Sequence, residues 1–410
     1  MSIKINPVDL EHCIKCNLCT EVCPMYEVNP LYPGPKQSGP DGERYRLKTG
    51  FFFDESLKYC LNCKRCEVVC PSAVPVGDII TLAKLNHGYR SSHGLRDKML
   101  ASTDFVGSLA SPFAGIVNPL LRWGISKWAL DSFFAMTKER SMPAYSSRKF
   151  TSWYKSNEEE RQKSFGRSVY YFHGCYVNYN YPQLGLDFVT LLNACGYGVK
   201  LLDKEKCCGV ALIANGFKDK ARKQAEINLD AMRGADTVVL TSSSTCTFTM
   251  RDEYESILGL DTSEVKDKLQ MTVKWLYDKV ESGEVKLAFR EDFRMHADYH
   301  TPCHLQKMGW QHYSIALLRM IPGLELDVLE QNCCGIAGTF GFKKENYNYS
   351  KEIGQKLFKS IAESGAGVVI TDCETCKWQI EQFTEASVLN PISVLVSALD
   401  IEATTELNNK

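Results

Sequence analysis

The chain lacks a dominant charge. Its 48 lysines and arginines nearly balance 49 aspartates and glutamates, leaving a net charge of -1. No broad basic field is available for nucleic acid. It also lacks a long apolar run. The longest charge-free stretch in its middle, residues 105–121, is 17 residues long and is broken by Pro112 and Pro119. A membrane-spanning helix needs roughly 20, and the prolines argue against one straight helix. The opening MSIKINPVDLEHC has no apolar h-region and no cleavage site, so secretion is not expected. No G-x-G-x-x-G opens a strand–helix unit, so no dinucleotide site is indicated. Finally, cysteine is missing from residues 71–174.

That last gap matters because the rest of the chain has 18 cysteines, eight before residue 71 and ten after residue 174. In a chain of 410 residues for which secretion is not expected, such numbers point to metal or redox chemistry rather than disulfides. The length suggests two or three domains.

The first eight cysteines form two runs. Cys13-Ile-Lys-Cys16-Asn-Leu-Cys19-Thr-Glu-Val-Cys23-Pro24 and Cys60-Leu-Asn-Cys63-Lys-Arg-Cys66-Glu-Val-Val-Cys70-Pro71 both read C-x2-C-x2-C-x3-C-P. This is the two-cluster ferredoxin spacing: three thiolates on a tight loop wrap one cube, and the fourth ligates the other cluster. The expected sets are therefore Cys13, Cys16, Cys19 and Cys70 for one cubane [4Fe-4S] cluster, and Cys60, Cys63, Cys66 and Cys23 for a second. Zinc prefers four ligands in two separated C-x2-4-C pairs, and these runs fit that poorly. FFFDESLKYC and VGDIITLAKLNHGYR read as helices around the second run. This part resembles the helical two-cluster ferredoxin module of succinate dehydrogenase iron–sulfur subunits.

The last ten cysteines lie in a repeat. Val238-Val-Leu-Thr-Ser-Ser-Ser-Thr-Cys246 aligns with Val368-Val-Ile-Thr-Asp-Cys-Glu-Thr-Cys376, Cys207-Cys208-Gly209 with Cys333-Cys334-Gly335, and Cys175 with Cys303. Neighbouring Cα atoms about 3.8 Å apart are a poor fit to a disulfide, so the paired cysteines ask for another partner. Each unit alternates strand-like and helix-like stretches, which predicts a parallel sheet with covering helices. Its cysteines then fall at the carboxyl ends of strands, where open α/β sheets place ligands. Cys195 lies outside the pattern and reads as a small buried apolar residue. His173, His300 and His304 flank the cysteines and read as local hydrogen-bonding groups more than as ligands. Trp378 and the aromatics of residues 176–181 read as packing rather than as a quinone pocket.

The pattern Cys…Cys-Cys-Gly…Cys-x-x-Cys resembles the cysteine-rich CCG domain of heterodisulfide reductases and related redox subunits. In that family five such cysteines hold a noncubane [4Fe-4S] assembly, which implies a cluster on Cys303, Cys333, Cys334, Cys373 and Cys376. The first unit offers Cys175, Cys207, Cys208 and Cys246, with Ser243 where the second has Cys373. A further cluster there and a decayed structural half both remain open. The resulting fold class is α+β multidomain: an N-terminal α-helical ferredoxin module, then two repeated α/β CCG domains. The expected division is 1–95 for the ferredoxin domain, 96–165 for a helical connector, 166–290 and 291–410 for the two CCG domains.

NPLYPGPKQSGPDGERYRLK, LKYCLNCKRCEVVCPS, KEKCCGVALIANGFKDKARKQA and CCGIAGTFGFKKENY extend the likeness across nearly the whole chain, which is similar to the iron–sulfur (C-type) subunits of bacterial anaerobic glycerol-3-phosphate dehydrogenases. The resemblance implies a non-catalytic electron-transfer subunit. It would take electrons from a flavin-containing catalytic subunit, working with a second subunit, and pass them through iron–sulfur clusters to menaquinone. It would also help to anchor the complex peripherally at the cytoplasmic side of the inner membrane. The module order equally suits the iron–sulfur subunit of a lactate or glycolate oxidase, or a disulfide-reducing subunit of the heterodisulfide-reductase type. A structural adaptor with dead CCG units is a weaker alternative. LLRWGISKWALDSFFAM mixes Trp123, Trp128, Phe133 and Phe134 with Arg122 and Lys127. These charges do not gather on one helical face, so a helix packed between domains is expected ahead of a membrane-surface segment.

Overall fold

A computed structural model describes residues 10–49, 54–87 and 94–409. Part of the FFFDESLKYC stretch lies outside them. Its remainder forms a short 3₁₀ turn, Glu55–Tyr59, opened by Asp54, whose carboxylate accepts from the Ser56 N–H at 2.8 Å. Helix Val76–Asn86 follows the second cysteine run and buries Ile79, Ile80 and Leu82.

Each repeat is a four-stranded, all-parallel sheet. β1 (Ser168–Phe172), β2 (Gly198–Leu201), β3 (Val239–Thr241) and β4 (Leu269–Met271) lie in the order β2-β1-β3-β4. β5 (Met295–Tyr299), β6 (Leu324–Val328), β7 (Val368–Ile370) and β8 (Ser387–Leu389) repeat it as β6-β5-β7-β8. The register matches too: Tyr171 lies beside Leu240 in the first unit and Tyr299 beside Ile370 in the second. The chain switches direction across the sheet between β1 and β3, and again between β5 and β7. Open parallel sheets form their ligand crevice at such a switch, outside the strand carboxyl ends. Cys175 and Cys303 follow β1 and β5. Cys246 and Cys376 follow β3 and β7. The paired cysteines stand several residues beyond the edge strands β2 and β6, on loops that return toward the same rim.

The two units share one interior. A single apolar cluster runs from Phe150 of the connector and Tyr171 and Phe188 of the first unit to Tyr299, Leu317 and Leu395 of the second. Helix Pro182–Ala194 packs on helix Pro391–Ala398, and the C-terminal helix Ile401–Asn408 reaches back so that Asn408 donates to the Ala194 carbonyl. The loops after β3 and β7 lock directly. Both the Ser244 N–H and its hydroxyl donate to the Asp372 carbonyl, at 3.0 and 2.9 Å.

The connector departs from the expected packed helix. Helices Thr103–Ala110, Ala114–Arg122 and Gly124–Phe134 form an outlying arm, and the last has no buried residue. Phe105, Ile116 and Phe133 are 65, 71 and 73% exposed, and Trp123 and Trp128 stand out beside them. Scattered charges favoured packing in the sequence; the structure shows that the arm has too few neighbours to cover its apolar side chains. The arm is tied down at its root. The Asp104 carboxylate accepts from the Cys207 N–H at 2.8 Å, and Gly107 sits so close to Tyr179 that an added Cβ would meet its ring at 2.5 Å. Among the described residues no single helix is long and apolar enough to cross a membrane, although the bent pair Gly94–Ala101 and Thr103–Arg122 reaches that length and composition together.

Candidate metal centres

The N-terminal cysteines gather into two hollows. One is lined by Cys13, Cys16, Cys19 and Cys70, the other by Cys23, Cys60, Cys63 and Cys66. The crossing is local geometry at work. Asn17 and Lys64, midway through the two runs, both adopt left-handed backbone (φ 68° and 63°), which turns each loop around its hollow and starts a one-turn helix. The fourth cysteine of each run then lines the other run's hollow.

Ten cysteines remain, and Cys195 is fully buried away from the rest. The others form two thiol chains. In the first unit Cys175, Cys207, Cys208 and Cys246 follow one another as neighbouring thiols. In the second, Cys303, Cys333 and Cys334 follow one another as neighbouring thiols, Cys334 lies 3.3 Å from Cys376, and Cys376 neighbours Cys373. All 18 thiols are free. Hydrogen bonds from neighbouring thiols pull Cys207 and Cys333 well below the usual thiol range against the effect of burial. The bond from Cys376 brings Cys373 to about 5. Thiolate is the form that binds metal.

His300 sharpens the second set. It is buried, both ring nitrogens lack a hydrogen-bond partner, and a ring nitrogen lies within 4.8 Å of the Cys334 and Cys376 sulfurs. Burial pushes its pKa down to about 4, so the ring is neutral. An orphaned imidazole among soft thiols suits a bound metal group, as ligand or as donor to its sulfur. The first unit has Phe172 at the equivalent position, after Tyr171 as His300 follows Tyr299. His173 and His304 behave as local hydrogen-bonding groups: Nδ1–H of His173 donates to the Gly174 carbonyl at 2.9 Å, and Nε2–H of His304 to the Asn62 carbonyl at 3.2 Å.

Ser243 also separates the units. Its hydroxyl accepts from the Cys246 N–H at 3.2 Å, capping helix Ser244–Phe248, and donates to Glu374 at 2.9 Å. It is engaged as a cap and an inter-unit bridge. Glu374, taken out of bulk water and set beside Cys373, has its pKa pushed up to about 8. Thr245 and Cys373 touch across the same seam at 3.6 Å.

The ferredoxin module docks against both units. Lys64 is fully buried between Asp78, Glu67 and Glu253, the last from the first unit. Burial alone would lower its pKa; the three carboxylates instead hold it well above the usual lysine value. Lys307 of the second unit pairs with Glu67 at 2.9 Å. Most directly, Cys63 and Cys303 are neighbours close enough for each thiol to shift the other's pKa, which sets one ferredoxin hollow beside the second thiol chain. No sequence signal marks this junction, since the two residues are far apart in the chain and each belongs to its own motif.

A third hollow lies between the two units. Tyr176, Tyr181 and Leu184 line it from the first unit, Lys377 and Leu389 from the second, and Cys246 and Cys373 border it from opposite sides.

Comparison with known proteins agrees with this layout. Residues 9–74 match the 4Fe-4S dicluster domain, and residues 169–251 and 297–381 each match the cysteine-rich CCG domain. The C subunit of the anaerobic glycerol-3-phosphate dehydrogenase of Escherichia coli (strain K12) is 52% identical over 399 residues, covering 96% of this chain and 100% of that protein. The chain belongs to the family of C subunits of anaerobic glycerol-3-phosphate dehydrogenases. More distant relatives match about half of the chain. The B subunit of the fumarate reductase (CoM/CoB) of Methanothermobacter marburgensis is 29% identical over 56% of this chain and 45% of its own length. Lactate utilization protein A of Shouchella clausii is 28% identical over 50% of this chain and 87% of its own. In this member of the C-subunit family, the ferredoxin module docks on both CCG units, with one thiol set of each kind adjacent at Cys63 and Cys303.

Proposed function

We propose that this chain is the iron–sulfur electron-transfer subunit of an anaerobic glycerol-3-phosphate dehydrogenase. It takes electrons from a flavin-bearing partner subunit and delivers them to membrane menaquinone. The observation that carries the reading is the neighbourhood of Cys63 and Cys303, which sets a ferredoxin-type thiol set beside a CCG set. Cys13, Cys16, Cys19 and Cys70 would hold one cubane, and Cys23, Cys60, Cys63 and Cys66 the other. Cys303, Cys333, Cys334, Cys373 and Cys376 would hold a noncubane cluster, with His300 beside it. Cys175, Cys207, Cys208 and Cys246 are a four-thiol set able to take a further one. Bound clusters supply one-electron redox steps. The protein's part is to bury them, hold their thiolates and fix their order. The domain division proposed is 1–95, 96–165, 166–290 and 291–410, with one shared interior for the last two.

The exposed apolar arm, residues 103–134, supports peripheral anchoring of the complex at the inner membrane. Paired tryptophans, aliphatic side chains and the flanking Arg122 and Lys127 suit the headgroup boundary. The test is anaerobic reconstitution with the flavoprotein subunits. Glycerol 3-phosphate should reduce the clusters, seen by EPR, and added menaquinone analogue should reoxidise them. Reduction by lactate and not by glycerol 3-phosphate would favour the lactate oxidase alternative.

A further inference from the structure

The hollow between the CCG units opens between the two thiol sets. Among the described cysteines only Cys246 and Cys373 border it, one from each unit. One wall is aromatic and aliphatic: Tyr176, Val177, Tyr181 and Leu184. His173 stands at its edge with Nδ1 occupied by Gly174, leaving Nε2 for a ligand. Lys377 is the single basic lining residue, and it is already paired with Glu381. A polyanionic ligand, such as a disulfide carrying carboxylates or phosphates, would find no surplus positive charge. A neutral, flat, two-electron acceptor suits these walls.

The outer side of the same wall carries a second observation. Residues 176–180 form one tight turn. Its Tyr176 and Val177 face the hollow, while Tyr179 packs flush on Gly107 of the apolar arm. The hollow and the exposed Phe105–Phe133 surface are thus two sides of one turn. A lipid-tailed acceptor could keep its tail on the arm and its ring in the hollow.

We infer that this inter-unit hollow binds the ring of a membrane quinone, between a cysteine of each CCG unit. The inference rests on the quinone reading above and gives that reading a site. In the reaction served, the quinone takes two electrons from the chain's reduced iron–sulfur centres and two protons from water, and its two C=O groups become C–OH. The aromatic residues at 176–181, read from sequence as packing, then do both jobs.

The test uses the assembled dehydrogenase in liposomes. An azido-naphthoquinone with a prenyl tail is photolysed, and labelled peptides are mapped. Label is expected in residues 173–184 or 388–393, competed by 2,3-dimethyl-1,4-naphthoquinone; label confined elsewhere overturns the site. Ser393→Phe, which fills the hollow from helix Pro391–Ala398, should raise the quinone KM at least about tenfold with cluster EPR signals unchanged. An unchanged KM in a folded variant also overturns it. Wild-type complex that fails to reduce the naphthoquinone at all refutes the quinone reading itself. A small disulfide whose turnover is lost in Ser393→Phe, with quinone turnover intact, would assign the hollow to disulfide chemistry instead.

Discussion

Ser243 is the residue at which the two repeats part. In the structure its hydroxyl caps a helix and bridges to Glu374. Ser243→Ala should therefore cost roughly 1–3 kcal/mol, from a lost cap and a buried carboxyl left without its donor. Iron content should stay at the wild-type value. Iron loss on metal analysis would mean that the serine is a ligand. Glu374 makes a second prediction, in pH. Its folded pKa is raised from 4.5 to about 8, so the folded chain holds this proton more tightly than the unfolded one. The stability it contributes is full below 4.5 and is lost as pH rises through about 8. Urea unfolding of Glu374→Gln should show a shallower loss across that window than wild type; parallel curves would contradict the shift. The cysteine roles at this scale were legible because ligand spacing is written into sequence. His300 was only half legible. Its nearness to Cys303 is visible in sequence, but its orphaned ring nitrogens and its counterpart Phe172 depend on strand register.

At the scale of elements, the docking of the ferredoxin module turns on Lys64. Removing its charge leaves Glu67, Asp78 and Glu253 buried around an empty centre. Lys64→Met should destabilise the chain by about 3–5 kcal/mol, read by chemical unfolding, and should loosen the module toward protease. The apolar arm predicts the opposite combination. Ile116→Asp with Phe133→Asp should leave stability within about 0.5 kcal/mol, because both side chains are exposed. Vesicle co-sedimentation should fall sharply; unchanged co-sedimentation would remove the arm from the anchoring account. Strands β1, β3, β5 and β7 were legible as runs of β-branched and aromatic residues. β4 and β8 were not. LQM and SVL are three-residue strands whose pairing comes from neighbours, not from any period of their own. The tight turns after Cys175 and Phe248 were equally silent in sequence.

For the whole molecule, module order and the repeat were legible in sequence, yet the units read there as a row. The structure shows them closed on each other, with the C-terminal helix returning to the first unit and one interior beneath both sheets. That closure creates the inter-unit hollow and the Cys63–Cys303 junction, neither of which belongs to any one motif. The central claim, that these thiol sets hold iron–sulfur clusters in electronic contact, meets its most direct test in one experiment. Protein purified without oxygen is assayed for iron, sulfide and zinc, then reduced and examined by EPR. The account predicts at least about eight irons for the two ferredoxin-type clusters, more from the CCG units, and spectra broadened by coupling between neighbouring centres. Stoichiometric zinc with no iron, or fully independent signals from isolated clusters, would contradict it.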